Sequence, residues 1–201
     1  MRYCPPKYWE KRGKTYPNEF EKLGLKRTIL FKIQKFIFKK QIKKLSPTQL
    51  LDIGCGFGRL FNIYQKYSHN FVGIDISLSM LMHAKNRKKS FKGCSLIRGT
   101  VTSLPFKENA FDLVLTTEVL LHVPPKEIEN ALLEISRVAK EFVLNLEFFQ
   151  RKRPKKLFPH NFLHDYPGIY KKIGLKCIQT TKIPLNNQFI FICQKDFSKK
   201  L

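Results

Sequence analysis

The sequence predicts a single α/β domain with a mostly parallel sheet and helices on both faces. Short apolar segments alternate with amphipathic segments from residue 49 to residue 174, and such alternation folds into a parallel sheet covered on both sides. A length of 201 residues with 43% hydrophobic residues suits one domain with a sizeable core. A glycine-rich turn follows the first strand, and open α/β sheets bind ligands at the carboxyl ends of their strands.

A basic helical region precedes the sheet. Within residues 18–45, apolar residues recur at helical spacing with Lys between them: Leu23, Leu30, Ile33, Ile37 and Leu45. This pattern predicts one or two helices. A basic amphipathic helix can lie on a membrane surface, or it can cover one face of its own domain, which is the interpretation favoured here.

Seven strands are predicted from short apolar runs at residues 50–53, 71–74, 94–97, 111–115, 142–146, 175–180 and 188–193. The turn residues Pro184, Leu185, Asn186 and Asn187 separate the last two runs, which predicts an antiparallel hairpin.

Four helices are predicted between the strands. The first follows the glycine turn and ends near residue 67; the others cover residues 78–86, 125–138 and 163–173. Ser77 is placed to cap the second helix, Pro125 to begin the third and Gly174 to close the fourth. The third helix carries one apolar face, formed by Ile128, Leu132, Ile135 and Val138.

The net charge of +23 is concentrated in the two ends of the chain. Residues 1–49 carry a net +11 and residues 148–201 a net +10, whereas residues 50–147 carry +2. Such flanks attract nucleic acid, anionic lipid headgroups or an acidic substrate. A general richness in Lys is the alternative explanation of the charge.

The five cysteines predict neither a disulfide framework nor a zinc site, because their number is odd and no pair has C-x-x-C spacing. We expect small, buried, reduced thiols and no bound metal. No apolar run approaches the roughly 18 residues of a membrane span, and the N-terminus lacks an apolar signal region. These features predict a cytoplasmic protein.

The glycine turn runs Asp52-Ile53-Gly54-Cys55-Gly56-Phe57-Gly58. A dinucleotide-binding turn has the pattern G-x-G-x-x-G, because its pyrophosphate needs the helix N-terminus. Here the third glycine, Gly58, comes one residue early. G-x-G-x-G with Asp52 two residues before it suits a ligand without phosphate, such as S-adenosylmethionine (SAM), whose cationic end Asp52 can face directly or through water.

Asp75 ends the second strand, 21 residues after Gly54. A carboxylate at this position can accept hydrogen bonds from both hydroxyls of an adenosine ribose. Helix capping is the alternative role for Asp75, but Ser77 fits that role better.

Taken in order, the segments DIGCGFG, GIDIS, LPF, AFDLVL and EVLLHV resemble the class I SAM-dependent methyltransferases over residues 48–147. The resemblance is nearest to the branch of the ubiquinone- and menaquinone-biosynthesis methyltransferases. It implies a Rossmann-like, three-layer sheet of seven strands with an antiparallel last strand, and SAM as cofactor. The cofactor-binding residues it implies are Asp52, Gly54, Gly56, Gly58, Asp75, Ile76, Thr100, Val101 and Thr116.

Thr100 departs from the family pattern, which has an Asp at this position to receive the adenine amino group. A hydroxyl can accept the same hydrogen bond more weakly. Adenine recognition is then expected to depend on the backbone N–H of Val101 and on apolar packing.

Glu118 and His122 are the catalytic candidates, since they follow the fourth strand. They are four residues apart, so a helical turn there would place them on one face. His titrates near neutral pH and can act as a general base. His122 also precedes Val123, Pro124 and Pro125, so a structural capping role is the alternative.

The resemblance divides the chain into residues 1–47, a basic helical segment and possible lid, and residues 48–201, the SAM-binding methyltransferase domain. Trp9 is the candidate lid residue, because an aromatic N-terminal segment folds over the cofactor in related methyltransferases and an aromatic face suits a sulfonium cation. Anchoring of the N-terminal helix in the core is the alternative role for Trp9.

A basic loop follows the fifth strand and could hold an acidic acceptor. It contains Arg151, Lys152, Arg153, Lys155 and Lys156, followed by His160, His164 and Tyr166. A solvated loop with Asp165 capping a helix is the alternative.

The sequence therefore predicts a SAM-dependent methyltransferase that acts on a small or lipid-linked acidic acceptor. An RNA methyltransferase, acting on tRNA and binding phosphates through the basic flanks, is the second hypothesis. A non-catalytic SAM-binding module is the third. No obligate protein partner is implied, and nucleic-acid or membrane-surface contact through the flanks stays open.

Overall fold

The computed structural model of the chain describes residues 4–22, 24–68, 70–88, 92–150 and 157–195. The basic residues Arg151, Lys152, Arg153, Lys155 and Lys156 lie outside this part. The helices described are α1 Pro5–Gly13, α2 Tyr16–Glu21, α3 Leu25–Leu45, α4 Phe61–Tyr67, α5 Leu78–Lys88, α6 Ile128–Val138 and α7 Tyr166–Lys172. The strands are β1 Gln49–Ile53, β2 Asn70–Asp75, β3 Cys94–Arg98, β4 Phe111–Thr117, β5 Ala139–Phe148, β6 Leu175–Lys182 and β7 Gln188–Lys195.

The seven strands form one mixed sheet in the order β3-β2-β1-β4-β5-β7-β6. Strands β1 to β5 pair in parallel, and β7 lies antiparallel to both β5 and β6. The predicted Rossmann-like sheet and its terminal hairpin are thus confirmed. The chain moves outward from β1 to β3 and then returns to β4 on the other side of β1, so the strand order reverses between β1 and β4, where such sheets form a ligand crevice.

Alternating side chains of the central strands build two separate cores, one on each face of the sheet. Leu51 and Val114 belong to the core beneath α6 and α7. Leu50 and Leu113 belong to the core beneath α3, α4 and α5. This arrangement gives the three layers that the sequence predicts.

Helix α6 buries the predicted apolar face, Ile128, Leu132, Ile135 and Val138. The prediction that it begins at Pro125 is wrong, because residues 124–127 form a turn in which the Glu127 N–H donates to the Pro124 carbonyl at 2.9 Å. Helix α7 likewise begins at Tyr166 rather than at residue 163.

The N-terminal region contains more helix than its periodicity predicts. Helices α2 and α3 occupy the residues for which one or two helices were predicted, and α1 is an additional helix before them. Helices α1 and α2 have nine and six residues, too short to be stable alone in water, so contacts with the rest of the domain hold them.

The expectation of uniformly buried thiols is wrong for two cysteines. Cys55, Cys94 and Cys193 are buried, whereas Cys4 and Cys177 are exposed. Cys177 is exposed because it lies on β6, the last strand at one edge of the sheet. Within the described residues, no helix is both long enough and apolar enough to cross a membrane.

Candidate active site

A cavity of about 390 Å³ opens at the carboxyl ends of β1, β2 and β4, where the strand order reverses. One wall is formed by the glycine turn, the end of β2 and the loop after β3, through Gly54, Gly56, Asp75, Ile76, Thr100 and Val101. A further part of the lining, which we name the second wall, consists of Tyr8 and Trp9 of α1 together with Arg59, Glu118, His122 and His160.

At the glycine turn, backbone without side chains lines the cavity. Gly54 has a φ of +70° and a Cβ there would lie 2.2 Å from Cγ2 of Val119, so only glycine fits. Gly56 has a φ of +55°, and a Cβ there would meet nothing within 4 Å. The space beside Gly56 is therefore an open cradle for a ligand. Gly58 differs, because it packs against the ring of Phe61 and does not line the cavity.

Asp75 is fixed at the cavity wall by two backbone groups. The Gly56 N–H donates to its Oδ2 at 2.8 Å and the Ser77 N–H donates to its Oδ1 at 2.9 Å. Burial raises the pKa of this carboxyl. Each carboxylate oxygen can accept a further hydrogen bond, so Asp75 retains acceptor capacity for ribose hydroxyls. Ser77 caps α5 as predicted, accepting from the Met80 N–H at 3.2 Å.

Asp52 does not line the cavity, contrary to the sequence prediction. Its side chain is 3% exposed and accepts a hydrogen bond from the Tyr64 hydroxyl of α4 at 3.0 Å. Successive residues of a strand point to opposite faces, so Ile53 reaches the cavity wall and Asp52 points toward the α4 layer. Burial raises the pKa of Asp52 to about 7.

Thr100 and Val101 line the cavity, but the Thr100 hydroxyl already has a local neighbour. It lies 3.1 Å from the hydroxyl of Thr102 and accepts from the Thr102 N–H at 3.4 Å. Recognition of an adenine by Thr100 stays a prediction.

Thr116 was expected at the cofactor's edge, and the structure places it in the interior instead. Its side chain is fully buried, with the hydroxyl 3.0 Å from Oδ1 of Asn145 and 2.8 Å from Oε1 of Glu147. The next residue of β4, Thr117, lines the cavity, again because side chains alternate along a strand.

Glu147 is a positioning residue that the sequence analysis missed. Its fully buried carboxylate accepts the N–H groups of Val119 and Leu120 at Oε1, at 3.2 and 3.1 Å, and of Leu121 at Oε2, at 3.2 Å. Burial raises its pKa to about 7. The carboxylate thereby anchors the loop 118–122, which carries both catalytic candidates. A lone carboxyl at the end of an apolar strand was the available signal.

Glu118 and His122 both line the cavity, but the predicted helical face is wrong. Glu118 has a φ of +58° and precedes a 3-10 turn, Leu120–His122, so the four-residue spacing of an α-helix does not apply. Oε2 of Glu118 pairs with Nη2 of Arg59 at 3.1 Å, and Oε1 accepts from Nε2 of Gln188.

The His122 ring lies inside the second wall. Its Nδ1 is 2.9 Å from the carbonyl oxygen of His160, a contact that favours a proton on Nδ1. Burial lowers the pKa of His122 to about 4. The imidazole is therefore neutral at physiological pH.

Helix α1 places its aromatic residues against this wall. The Trp9 ring lies 4.7 Å from the His122 ring in an edge-on arrangement, and the Tyr8 ring stacks on His160 at 4.5 Å. Trp9 thus borders the cavity, and its role as a lid residue stays a prediction.

Two residues that the sequence analysis missed attach α1 to α5. The carboxylate of Glu10 accepts the N–H groups of Leu78 and Ser79, at 2.8 and 3.1 Å, and so satisfies the first turn of α5. At Gly13 the two helices touch, since a Cβ there would lie 2.7 Å from the Ser77 hydroxyl. We name this pair, Glu10 and Gly13, the α1 clasp.

The residues after β5 have mixed roles. His160 lines the cavity, whereas His164 is buried with Nε2 3.0 Å from the Val123 carbonyl. Asp165 caps α7 by accepting from the Gly168 N–H at 3.3 Å. Across the described residues, no group of three or more His, Cys, Asp or Glu side chains is arranged to hold a metal ion.

Residues 51–142 match the methyltransferase domain family. The chain is 30% identical over 155 residues to an uncharacterized protein of Methanocaldococcus jannaschii, covering 76% of this chain and 63% of that protein. It is 32% identical over 111 residues to an uncharacterized methyltransferase of Schizosaccharomyces pombe, covering 50% and 38%. The chain thus spans less than two thirds of these relatives' length.

The fold is similar to that of magnesium protoporphyrin IX methyltransferase from Synechocystis PCC 6803, solved with bound SAM. The two structures have a TM-score of 0.78 at 14% identity, covering 98% of this chain and 99% of the other. This likeness shows the fold, and the family match shows a methyltransferase domain. Neither distinguishes the branches, so the nearness to ubiquinone- and menaquinone-biosynthesis methyltransferases stays a prediction.

Proposed function

We propose that the protein is a class I SAM-dependent methyltransferase that methylates a small or lipid-linked acidic acceptor in the cytoplasm, since residues 51–142 match the methyltransferase domain family. One observation carries the proposal. A single cavity joins the wall formed by Gly54, Gly56 and Asp75 to the wall formed by Trp9 and His122. A methyl donor bound at the first wall would share the cavity with an acceptor bound at the second.

The residues of the first wall fit SAM. The open cradle at Gly56 admits a ligand close to the backbone, and Asp75 has remaining acceptor capacity for ribose hydroxyls. Ile76 and Val101 also line this part of the cavity and would contact the adenine. When bound, SAM supplies a methyl group made electrophilic by its sulfonium. The chain's part is to hold donor and acceptor in line, which lowers the entropic part of the barrier.

The state of His122 favours an acceptor that is already ionised. A general base works best with a pKa near the working pH, whereas the pKa of His122 is about 4. His122 is therefore a weak proton acceptor. A carboxylate oxygen carries no proton and needs no base. With its proton on Nδ1, the neutral His122 has no second N–H to donate to a carboxylate, so it would contact the acceptor only through its ring. This reasoning supports an acidic acceptor and gives His122 a contact role in the second wall, whereas Glu118 is paired with Arg59.

We further propose that residues 1–47 form the lid and residues 48–201 the methyltransferase domain. Helix α1 borders the cavity through Trp9 and is attached at the α1 clasp, next to Ser77 and Asp75. Closure of α1 would exclude water from the sulfonium and present an aromatic ring to its charge.

The test has two stages. Calorimetry of the purified chain with SAM and with its demethylated product checks cofactor binding, and a folded protein that binds neither contradicts the proposal. Methyl transfer from labelled SAM is then measured on lipid extracts, small acids and bulk tRNA. Label in lipids or acids supports the proposed acceptor. Label in tRNA alone establishes the RNA methyltransferase, and SAM binding without any transfer favours the non-catalytic module.

A further inference from the structure

Helix α3 is the longest helix described and is strongly basic. Its 21 residues include eight Lys or Arg and no Asp or Glu. Its inner face is buried against the sheet through Gln34, Phe38, Gln41 and Ile42. Burial of this inner face explains the covering role that the sequence predicts, but it leaves the opposite face without an assigned role.

The opposite face of α3, which we name the outer face, exposes large apolar side chains in a single line. Leu25 is 78% exposed, Ile29 43% and Phe36 69%. Exposed lysines continue and flank this line at Lys32, Lys39, Lys40 and Lys43. Successive members of this line, at positions 25, 29, 32, 36, 39 and 43, are three or four residues apart, and position 40 is adjacent to 39. Side chains with this spacing share one side of a helix.

We propose that the outer face of α3 docks on an anionic membrane surface. Lysines attract the phosphate-bearing headgroups of anionic lipids, and apolar side chains on the same line can enter the boundary between headgroups and acyl chains. RNA is the less suitable partner for this face. Phosphate contacts use the lysines equally well, but exposed aliphatic chains such as Leu25 and Ile29 gain nothing from a phosphate backbone.

The inner face of α3 reaches the cavity through two contacts. The guanidinium of Arg59 lies 5.4 Å from the centre of the Phe31 ring. Gln34 donates to Gln188, which in turn donates to Glu118. Arg59 and Glu118 both line the cavity. Docking of α3 therefore brings the cavity close to the membrane, where a lipid-linked acceptor is available. This last step rests on the proposed function, whereas the docking itself does not.

The test is sedimentation of the full chain with vesicles of phosphatidylcholine, alone or mixed with phosphatidylglycerol. We expect binding to the mixed vesicles only, weakening as salt is raised. The charge variant replaces the outer-face lysines by Gln at Lys32, Lys39, Lys40 and Lys43. Its matched control makes the same change at four exposed lysines elsewhere, Lys107, Lys126, Lys171 and Lys176. At about fivefold per lysine near a membrane surface, the charge variant should bind at least about a hundredfold more weakly than its control.

A second pair of variants, which changes apolar residues, distinguishes docking on a membrane from binding to another polyanion such as RNA. The apolar variant replaces the outer-face residues Leu25, Ile29 and Phe36 by Ser. Its matched control makes the same change at three exposed apolar residues elsewhere, Met82, Leu133 and Ile178. We expect vesicle binding to fall about tenfold or more in the outer-face variant and to be unchanged in the control. Thermal unfolding of each variant verifies that it is folded.

Three results would overturn the proposal. The first is an absence of binding to the mixed vesicles. The second is an equal loss of binding in an outer-face variant and its control. The third is binding to tRNA but not to vesicles, where the charge variant loses tRNA binding and the apolar variant keeps it. That result would assign the face to RNA. None of these readouts involves SAM, so failure of docking and failure of the proposed methyl transfer are distinguishable.

Discussion

Replacing Glu147 by Gln tests the buried carboxylate that anchors the loop 118–122. The amide keeps one acceptor oxygen, so part of the set of N–H groups from Val119 to Leu121 stays bonded. At least one of these N–H groups then faces the amide NH₂, and an unsatisfied buried donor costs about 1–3 kcal/mol. This cost does not depend on pH.

The charge of Glu147 contributes a second, pH-dependent effect. Its pKa rises from an ordinary value of 4.5 to about 7 in the folded protein, so the folded state binds more protons than the unfolded state between these values. The free energy of unfolding therefore falls as pH rises through this window. Since one pKa unit corresponds to 1.36 kcal/mol, the loss between about pH 5 and about pH 8.5 is about 2.5 kcal/mol. Glu147→Gln removes this loss.

We therefore expect Glu147→Gln to destabilise the protein by about 1–3 kcal/mol near pH 5 and to be about 2.5 kcal/mol less destabilising near pH 8.5. Urea unfolding of both proteins at each pH, with equal m-values, gives the difference. Taking the difference cancels the opposite contribution of His122, whose lowered pKa adds stability as pH rises. Glu141→Gln removes an exposed carboxylate from the same strand and is the control for charge. A stability difference that is the same at both pH values would refute the buried-charge reasoning.

Three further substitutions test the cavity itself. Asp75→Ala should weaken SAM binding more than tenfold by calorimetry, since it removes a charge-assisted acceptor, whereas Asp165→Ala, which removes only the cap of α7, should not. Thr100→Asp should preserve or tighten SAM binding, because it restores the carboxylate usual in the family; a large loss in a folded variant would show that the hydroxyl's local contacts matter more. Gly13→Ala should displace α1 and shift the emission of the single tryptophan to longer wavelength. Gly24→Ala, whose Cβ meets nothing within 4 Å, should leave the emission unchanged.

Much of the fold was predictable because it depends on local periodicity. Seven short apolar runs correspond to the seven strands, and the turn at residues 184–187 indicated the hairpin. Helix α1 was not predictable in this way, because it has nine residues and depends on distant contacts. Glu10 caps a helix that begins 68 residues later, and no local pattern records such a pairing.

The candidate site was predictable in its position but not in the direction of every side chain. Gly54, Gly56, Asp75 and His122 all line the cavity, as the order of the motifs indicates. Asp52 and Thr116 point inward instead. The next residue of each strand, Ile53 or Thr117, lines the cavity instead, because a shift of one residue along a strand exchanges its two faces. The motif alone does not record which face the ligand occupies.

The charges of the cavity constrain how an acidic acceptor is attracted. The whole chain carries +23, yet the charged residues described on the cavity wall are two arginines and three carboxylates: Arg12 and Arg59, with Asp75, Glu118 and Glu127. Both arginines already form ion pairs, Arg12 with Glu19 and Arg59 with Glu118. An acidic acceptor therefore gains little attraction from inside the cavity. Its attraction must come from basic surfaces outside, such as the outer face of α3, which concentrate anions over distances of about a Debye length. Selection within the cavity then depends on shape and on aromatic contacts with Tyr8 and Trp9.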